Sequence, residues 1–359
     1  MKYRFMELYG LSAALSADQT IPIDLDMVDP VSQIIIDGRV NNGASGDSTN
    51  CPIAFITKAE IVDGSDVLFS LDGLEMQALD IYNSGMHPRG GWYNYIQTPT
   101  DFQVAIDFGR YLWDEELAFD PTKFRNPTLN ITIDYDAGGR SPASVQLSVL
   151  AALFDEKMIT PSGFLMTKEQ KRWTKAAAGH EYTDMPLDYP YRKMFLQGRY
   201  DSIPPNWIFS NIKLATDQDK KVILNGEYRD LMFGIGRENA YIREAWVIGV
   251  GAAQTVSHVT PTMDVFSVAS AWEDTSLAKD ISCYDGDGGH LETIAEVAAN
   301  AQVHVAGWAP HGTLCIPFGK PDVIEDWFDF VGVGSLKLDC TSGNASATQK
   351  LFIQQYRTY

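Results

Sequence analysis

Apolar and polar residues alternate with period two along most of this chain, in runs that stop at Gly, Pro, Asn or Asp. Phe102-Gln103-Val104-Ala105-Ile106, Leu129-Asn130-Ile131-Thr132-Ile133 and Leu336-Lys337-Leu338 are examples. The pattern predicts half-buried antiparallel strands, and many short strands at this spacing predict an all-β sandwich or barrel. Helix is predicted only in patches. Leu74–Leu79 and Glu227–Met232 each follow a glycine, and Thr167-Lys168-Glu169-Gln170 has capping-box spacing ahead of good helix formers that run to Gly179. Residues 158–190 therefore read as a linker carrying a helix.

The strand pattern occurs twice. Glu60–Gly73 returns 153 positions later as Lys213–Gly226, with Asp66, Leu71 and Gly73 recurring as Asp219, Leu224 and Gly226. Ile36-Asp37-Gly38-Arg39-Val40 matches Leu196-Gln197-Gly198-Arg199-Tyr200, Ile106–Gly109 matches Ile316–Gly319, and Leu129-Asn130-Ile131 matches Leu336-Lys337-Leu338. Four blocks in one order, at shifting offsets, are what loop insertions produce in a duplicated domain. The interval from Gly73 to Phe108 is 35 positions and that from Gly226 to Phe318 is 92, so the second copy carries an insertion, placed at about 253–300.

A length of 359 residues is enough for two domains, each with its own core. The formal charge of −19 repels phosphate, which argues against direct nucleic-acid binding. No run approaches the ~18 apolar residues of a membrane span. Met1–Tyr9 loosely imitates a secretory leader, but Glu7 interrupts it. Cys51, Cys283, Cys315 and Cys340 lie far apart without metal-ligand spacing and are expected to be reduced thiols.

Candidate chemistry is sparse. His87, His180, His258, His290, His304 and His311 form no His-x-His or His-Glu-x-x-His pattern and read as scattered surface or loop residues. Asp285-Gly286-Asp287-Gly288-Gly289-His290, with Glu296, imitates a calcium loop, but His290 stands where the glycine is needed, and a flexible acidic turn is the plainer reading. Asp114-Glu115-Glu116 offers adjacent carboxylates without the facing pair that glycoside hydrolysis requires. Gly90-Gly91-Trp92-Tyr93-Asn94-Tyr95 has aromatics able to stack a sugar or to anchor an interface. No catalytic residue, cofactor-binding residue or metal ligand is assigned.

Four stretches stand out together: Lys58–Leu68, Phe108–Glu116, Ala309-Pro310-His311-Gly312 with Phe318-Gly319, and Gln354-Gln355-Tyr356-Arg357. They resemble double-jelly-roll major capsid proteins of tailless icosahedral viruses, the lineage of adenovirus hexon and the membrane-containing tailless phages. The resemblance implies two tandem eight-stranded jelly rolls, to which the sequence itself adds short helices and one large loop insertion in the second, the insertion being a departure from the family's pattern. Their expected boundaries are an N-terminal arm at 1–28, jelly rolls at 29–157 and 191–359, and the linker between them. It also implies a non-enzymatic homotrimer forming a pseudo-hexameric tile, with neighbouring capsomers, minor capsid proteins and, in some relatives, an internal membrane as partners. Its place would be the virion, after assembly in the host cytoplasm.

The rival is a carbohydrate-active enzyme or lectin on paired jelly rolls. The coat reading leads to three expectations. Asp63, Asp66, Asp217 and Asp219 serve turn chemistry; Trp92, Trp113 and Trp327 sit at subunit boundaries; and the insertion projects from the outer end of the second domain.

Overall fold

The computed structural model describes all residues except 1, 42–50, 88, 90–92, 95–98, 136, 138–143, 158, 236–240, 251–253, 272–280, 296–298 and 344–346. The first half comprises β1 (Tyr3–Tyr9), β2 (Gln19–Asp24), β3 (Val31–Asn41), β4 (Ile56–Asp63), β5 (Asp66–Leu71), helix α1 (Gly73–Ser84), the short β6 (Tyr93–Asn94), β7 (Pro99–Asp107), β8 (Pro127–Ile133) and β9 (Ser144–Phe154). Leaving β6 aside, eight strands form two sheets, β1-β9-β3-β7 and β2-β8-β4-β5. Strand eight thus lies beside strand one and seven beside two, the nesting of a jelly roll.

The second half repeats this order. It contains β10 (Gly163–Thr174), β11 (His180–Asp184), β12 (Tyr191–Arg199), helix α2 (Pro205–Ile208), β13 (Phe209–Thr216), β14 (Lys221–Glu227) and helix α3 (Tyr228–Gly234). An inserted layer follows, made of β15 (Ile242–Val250), β16 (Thr255–His258), β17 (Met263–Ala271), β18 (Ile281–Asp285), β19 (His290–Ala295) and β20 (Ala299–Trp308). The fold then closes with β21 (Thr313–Pro317), β22 (Leu336–Ser342) and β23 (Thr348–Thr358). The sheets run β10-β23-β12-β21 and β11-β22-β13-β14, the same order as in the first half.

Three expected boundaries are corrected. Residues 1–28 are not an arm: β1 pairs with β9 and β2 with β8, so this segment supplies the first two strands of the first jelly roll. Residues 158–190 are not a helical linker either. They hold β10 and β11, the first two strands of the second jelly roll, and Thr167–Gln170 is extended. Helix propensity loses here because β10 pairs with β23 over its whole length and buries Phe164, Leu165 and Met166, a tertiary gain that local preference cannot match. The second copy's extra material spans β15 to β20 and so exceeds 253–300 on both sides.

The duplication is visible at the level of single bonds. Phe108 and Phe318 each follow the sixth strand, and their N–H groups donate to Ser32 O at 3.1 Å and Arg192 O at 3.0 Å, the second residues of β3 and β12. Gly38 and Gly198 share one position, where a Cβ would lie 2.1 Å from the Phe102 ring and 2.7 Å from the Phe209 ring respectively. Gly73 and Gly226 do not correspond. Ala59 pairs with Leu71 while Ile212 pairs with Gly226, so Gly226 stands where Leu71 stands. Gly64 and Ser65 separate β4 from β5, whereas 217–220 separate β13 from β14, and these two extra turn residues shift the register. Leu129 corresponds to Leu338 and not to Leu336, since Leu129 and Leu338 face the matched pair Ile61 and Leu214.

Two apolar cores fill the jelly rolls, one around Ile34, Phe102 and Leu129 that also takes in Phe164, Phe195 and Phe352 of the second half, the other around Tyr191, Leu196, Ile212 and Leu338. The inserted layer has a third, built on Trp246, Ile248, Leu291 and Val303. Helix α1 follows β5 and α3 follows β14, the equivalent places the sequence predicted. Helix α1 starts at a capping box in which Asp72 accepts from Glu75 N and Glu75 accepts from Asp72 N.

Candidate functional site: the domain seam and the inserted layer

The two jelly rolls are fused side by side. Parallel pairing of β5 with β10, through Thr167 with Phe69 and Lys168 with Ser70, joins one sheet of each half into an eight-stranded sheet, β2-β8-β4-β5-β10-β23-β12-β21. Helix α1 of the first half seats on the second. Lys193 Nζ donates to Tyr82 O at 3.1 Å and to Asn83 Oδ1 at 2.9 Å, Tyr82 Oη donates to Thr313 O at 2.6 Å, and His311 Nε2 meets Gln77 Oε1 at 2.7 Å. Arg192, almost wholly buried, donates to Pro321 O, Asn83 and Gln354. These buried polar contacts favour one arrangement of the halves, because separating them would leave several buried donors and acceptors unpaired; His311 Nδ1 alone among them has no hydrogen-bond partner.

A charged cluster marks the seam. Lys350 of β23 contacts Asp72 and lies 3.9 Å from Glu75, while Arg172 of β10 reaches Asp72 at 3.3 Å and Glu169 at 2.7 Å. Burial, then the Asp72 charge, pushes the Glu75 carboxyl well above its ordinary pKa, with Lys350 opposing. A shallow cavity of about 330 Å³ beside it is lined by Thr57, Lys58, Ser70, Asp72, Glu169 and Arg172. Its carboxylates are already held by cations of the same chain.

Asp114-Glu115-Glu116 is only partly a solvated acidic turn, since Glu115 and Glu116 are exposed and Asp114 is not. Asp114 is buried and clamped bidentately by Arg110 at 2.7 and 2.9 Å, and it also accepts from Arg110 N and Glu116 N. Burial raises its pKa, but the guanidinium and these two N–H groups outweigh that and hold the carboxyl below its usual range. Arg110 further pairs with Glu116 at 2.7 Å and donates to Asp322 O of the second half at 3.0 Å. These groups tie the halves together, and Asp114 and Glu116 are both engaged by Arg110 instead of facing each other across a cleft.

The histidines are not all scattered. His258 and His290 are directly opposed across the β16–β19 ladder and share Asp201 of the second jelly roll. Nothing in the sequence signals this, because the two rings are 32 positions apart and Asp201 a further 57 upstream. Asp285 and Asp287 gather no third carboxylate, histidine or cysteine among the described residues, and Glu296 lies outside them. Cys51, Cys283, Cys315 and Cys340 form no disulfide with one another.

Neither protein-family models nor curated proteins give a match. Solved structures do. The major capsid protein of Sulfolobus turreted icosahedral virus is 11% identical with a TM-score of 0.60, covering 100% of this chain and 97% of its own. VP54 of PBCV-1, fitted into a reconstruction of the virophage Sputnik, is 9% identical at 0.57, covering 99% and 93%. Major capsid protein P2 of bacteriophage PM2 is 9% identical at 0.56, covering 99% and 98%. The chain has their double-jelly-roll fold.

Within that double jelly roll the tryptophans do not all stand where the sequence suggested. Trp327 is buried between the halves against Leu117 and Leu165, with Arg192 over its ring, so it is an internal wedge. Trp113 stacks on Tyr3 at 4.4 Å and meets Phe5 and Phe154 edge-on, forming an aromatic patch on the edge strand β1. Trp92 lies outside the described residues. The inserted layer is not a free loop: β15 and β20 form a four-stranded sheet with β17 and with β6, which comes from the corresponding connection of the first jelly roll.

Proposed function

We propose that this chain is a major capsid protein whose trimers act as pseudo-hexameric tiles of an icosahedral viral shell. The observation that carries the proposal is the fused pair of equivalent jelly rolls, shared end to end with capsid proteins. Two like lobes held in one fixed relation become six under a threefold axis, a closed solution that fills a hexagonal position with three chains. The seam supports a structural role, since its charged groups are spent on holding the lobes together.

On this reading the partners are two further copies, neighbouring capsomers and minor capsid proteins, and the place of action is the virion after assembly in the host cytoplasm. The net charge of −19 fits a coat separated from the genome by a membrane or other proteins, without direct nucleic-acid contact. Light scattering on the purified chain tests the proposal. A stable species of three times 39.8 kDa with six-sided outlines by electron microscopy is expected. A monomer that binds glycans would overturn it in favour of a lectin or carbohydrate-active enzyme.

A further inference from the structure

Strands in a jelly roll run between two ends, so successive connections alternate from one end to the other. The link from β12 to β13, which holds Asp201, and the link from β14 to β21, which holds the inserted layer, therefore share an end. There the Asp285–Gly289 turn presses onto the jelly roll. Gly286, Gly288 and Gly289 all have positive φ, and a Cβ on Gly288 would stand 2.0 Å from Tyr200 O. This close approach brings His290 and its cross-strand neighbour His258 against Asp201.

Their donor atoms converge. His258 Nε2 lies 3.1 Å from Asp201 Oδ1, His290 Nδ1 lies 3.7 Å from Asp201 Oδ2, and one donor atom from each residue falls within 4.8 Å of the others. Tetrahedral zinc with bonds of about 2.0–2.1 Å spaces its ligand atoms by about 3.3 Å. The hydrogen bonding of His290 sets its tautomer. Its Nε2 lies 3.1 Å from Glu292 Oε1, and a carboxylate only accepts, so Nε2 carries the proton. Nδ1 then presents a lone pair, and that buried atom has no hydrogen-bond partner. A lone pair facing a carboxylate calls for a proton or a metal ion between them, and the convergence of a second imidazole on the same carboxylate favours the metal ion.

We propose that Asp201, His258 and His290 bind one Zn²⁺-type divalent cation that pins the inserted layer to the second jelly roll. Two imidazoles and one carboxylate suit such an ion, and the Glu292–His290 pair is the outer-shell carboxylate that orients and strengthens a ligating ring. Gln254 in turn holds the other oxygen of Glu292. Asp201 is about half exposed, with 58% of its side chain accessible, which leaves an entry path and room for a water as fourth ligand. The inference does not depend on the capsid assignment.

Untagged full-length protein, stripped with EDTA and dialysed, should take up one Zn²⁺ per chain by calorimetry and elemental analysis. Co²⁺ in its place should give visible absorption of a tetrahedral site. Zinc should also slow proteolysis between β15 and β20. Asp201→Asn, an exposed change that leaves the fold intact, and His258→Ala should abolish stoichiometric binding, while Glu292→Gln should weaken it by about 10–100-fold. Absence of stoichiometric uptake by the wild type, or equal uptake by Asp201→Asn, would overturn the proposal. So would resistance to proteolysis that follows pH but ignores zinc, which would assign the bridge to protonated imidazoles.

Discussion

Asp63 and Asp217 do the same work in the two jelly rolls. Asp63 accepts from the N–H groups of Arg125 at 3.0 Å and Asn126 at 2.9 Å, the two residues before β8. Asp217 accepts from Gly334 at 2.9 Å and Ser335 at 3.0 Å, the two residues before β22. Each carboxylate thus anchors the long connection arriving from the sixth strand. Asp66 and Asp219, which the sequence grouped with them, do something else: they form ion pairs with Arg357 and Lys213.

Asp63→Ala and Asp217→Ala should each cost about 0.5–2 kcal/mol, the range of a lost cap. Asp219→Ala should cost under about 1 kcal/mol, because the Lys213 pair is solvent-exposed. Denaturant unfolding of the three variants checks the ranking, and a larger loss for Asp219→Ala would contradict the anchoring role.

Trp327→Ala should destabilise by about 3–5 kcal/mol and loosen the two halves, because it empties a buried wedge. Thermal unfolding should split into two transitions. A single transition at the wild-type midpoint would show that the seam does not need the indole.

Asp80 should make stability fall as pH rises. Burial lifts its pKa from 3.8 to about 7, Arg89 opposes from 3.1 Å, Asp107 adds to the rise, and Ala105 N donates to it. The folded value lies above the unfolded one, so the contribution is fully present below about pH 4 and is lost as pH rises through about 7. Asp80→Asn should gain on the wild type across that window in paired melting curves. Parallel curves would remove the assignment.

If the chain forms the proposed trimer, Phe5→Asp should leave the fold intact and weaken trimer formation by about tenfold or more. Phe5 is 62% exposed beside Tyr3 and Trp113 on edge strand β1, an apolar patch on an unpaired edge. Sedimentation at several concentrations reads the shift, and an unchanged trimer would place the contact elsewhere.

Removing 253–300 should yield aggregated protein, because it strips Val259 and Leu291 from over Trp246 and Ile248. Removing 242–308 and bridging the ends should leave both jelly rolls soluble, since Ile242 and Gly307 are ladder partners and the cut ends lie together. Solubility of the first variant would show that the layer's core is dispensable.

The duplication was legible because strands keep their length and order, as with Gly38 and Gly198 or Phe108 and Phe318. Register was not, because two extra residues in the turn at Asp217 are invisible when only motifs are matched. The first two strands of each copy escaped for a different reason. β10 is central in the fused sheet, so Phe164, Leu165 and Met166 are buried in succession and show no period of two, while Lys168–Arg172 look helical by composition. The Asp201, His258 and His290 cluster depends on a cross-strand pairing and a glycine turn that only the fold brings together.

If the chain acts as the proposed tile, the eight-stranded sheet also decides where a shell of such tiles can bend. With β5 and β10 sharing backbone hydrogen bonds, and with Arg192 and Lys193 locked onto helix α1, the angle between lobes is set within each chain. Curvature must then be absorbed at contacts between molecules. Particles of different size would be built from identical tiles by changing how neighbours meet, never by reshaping the tile.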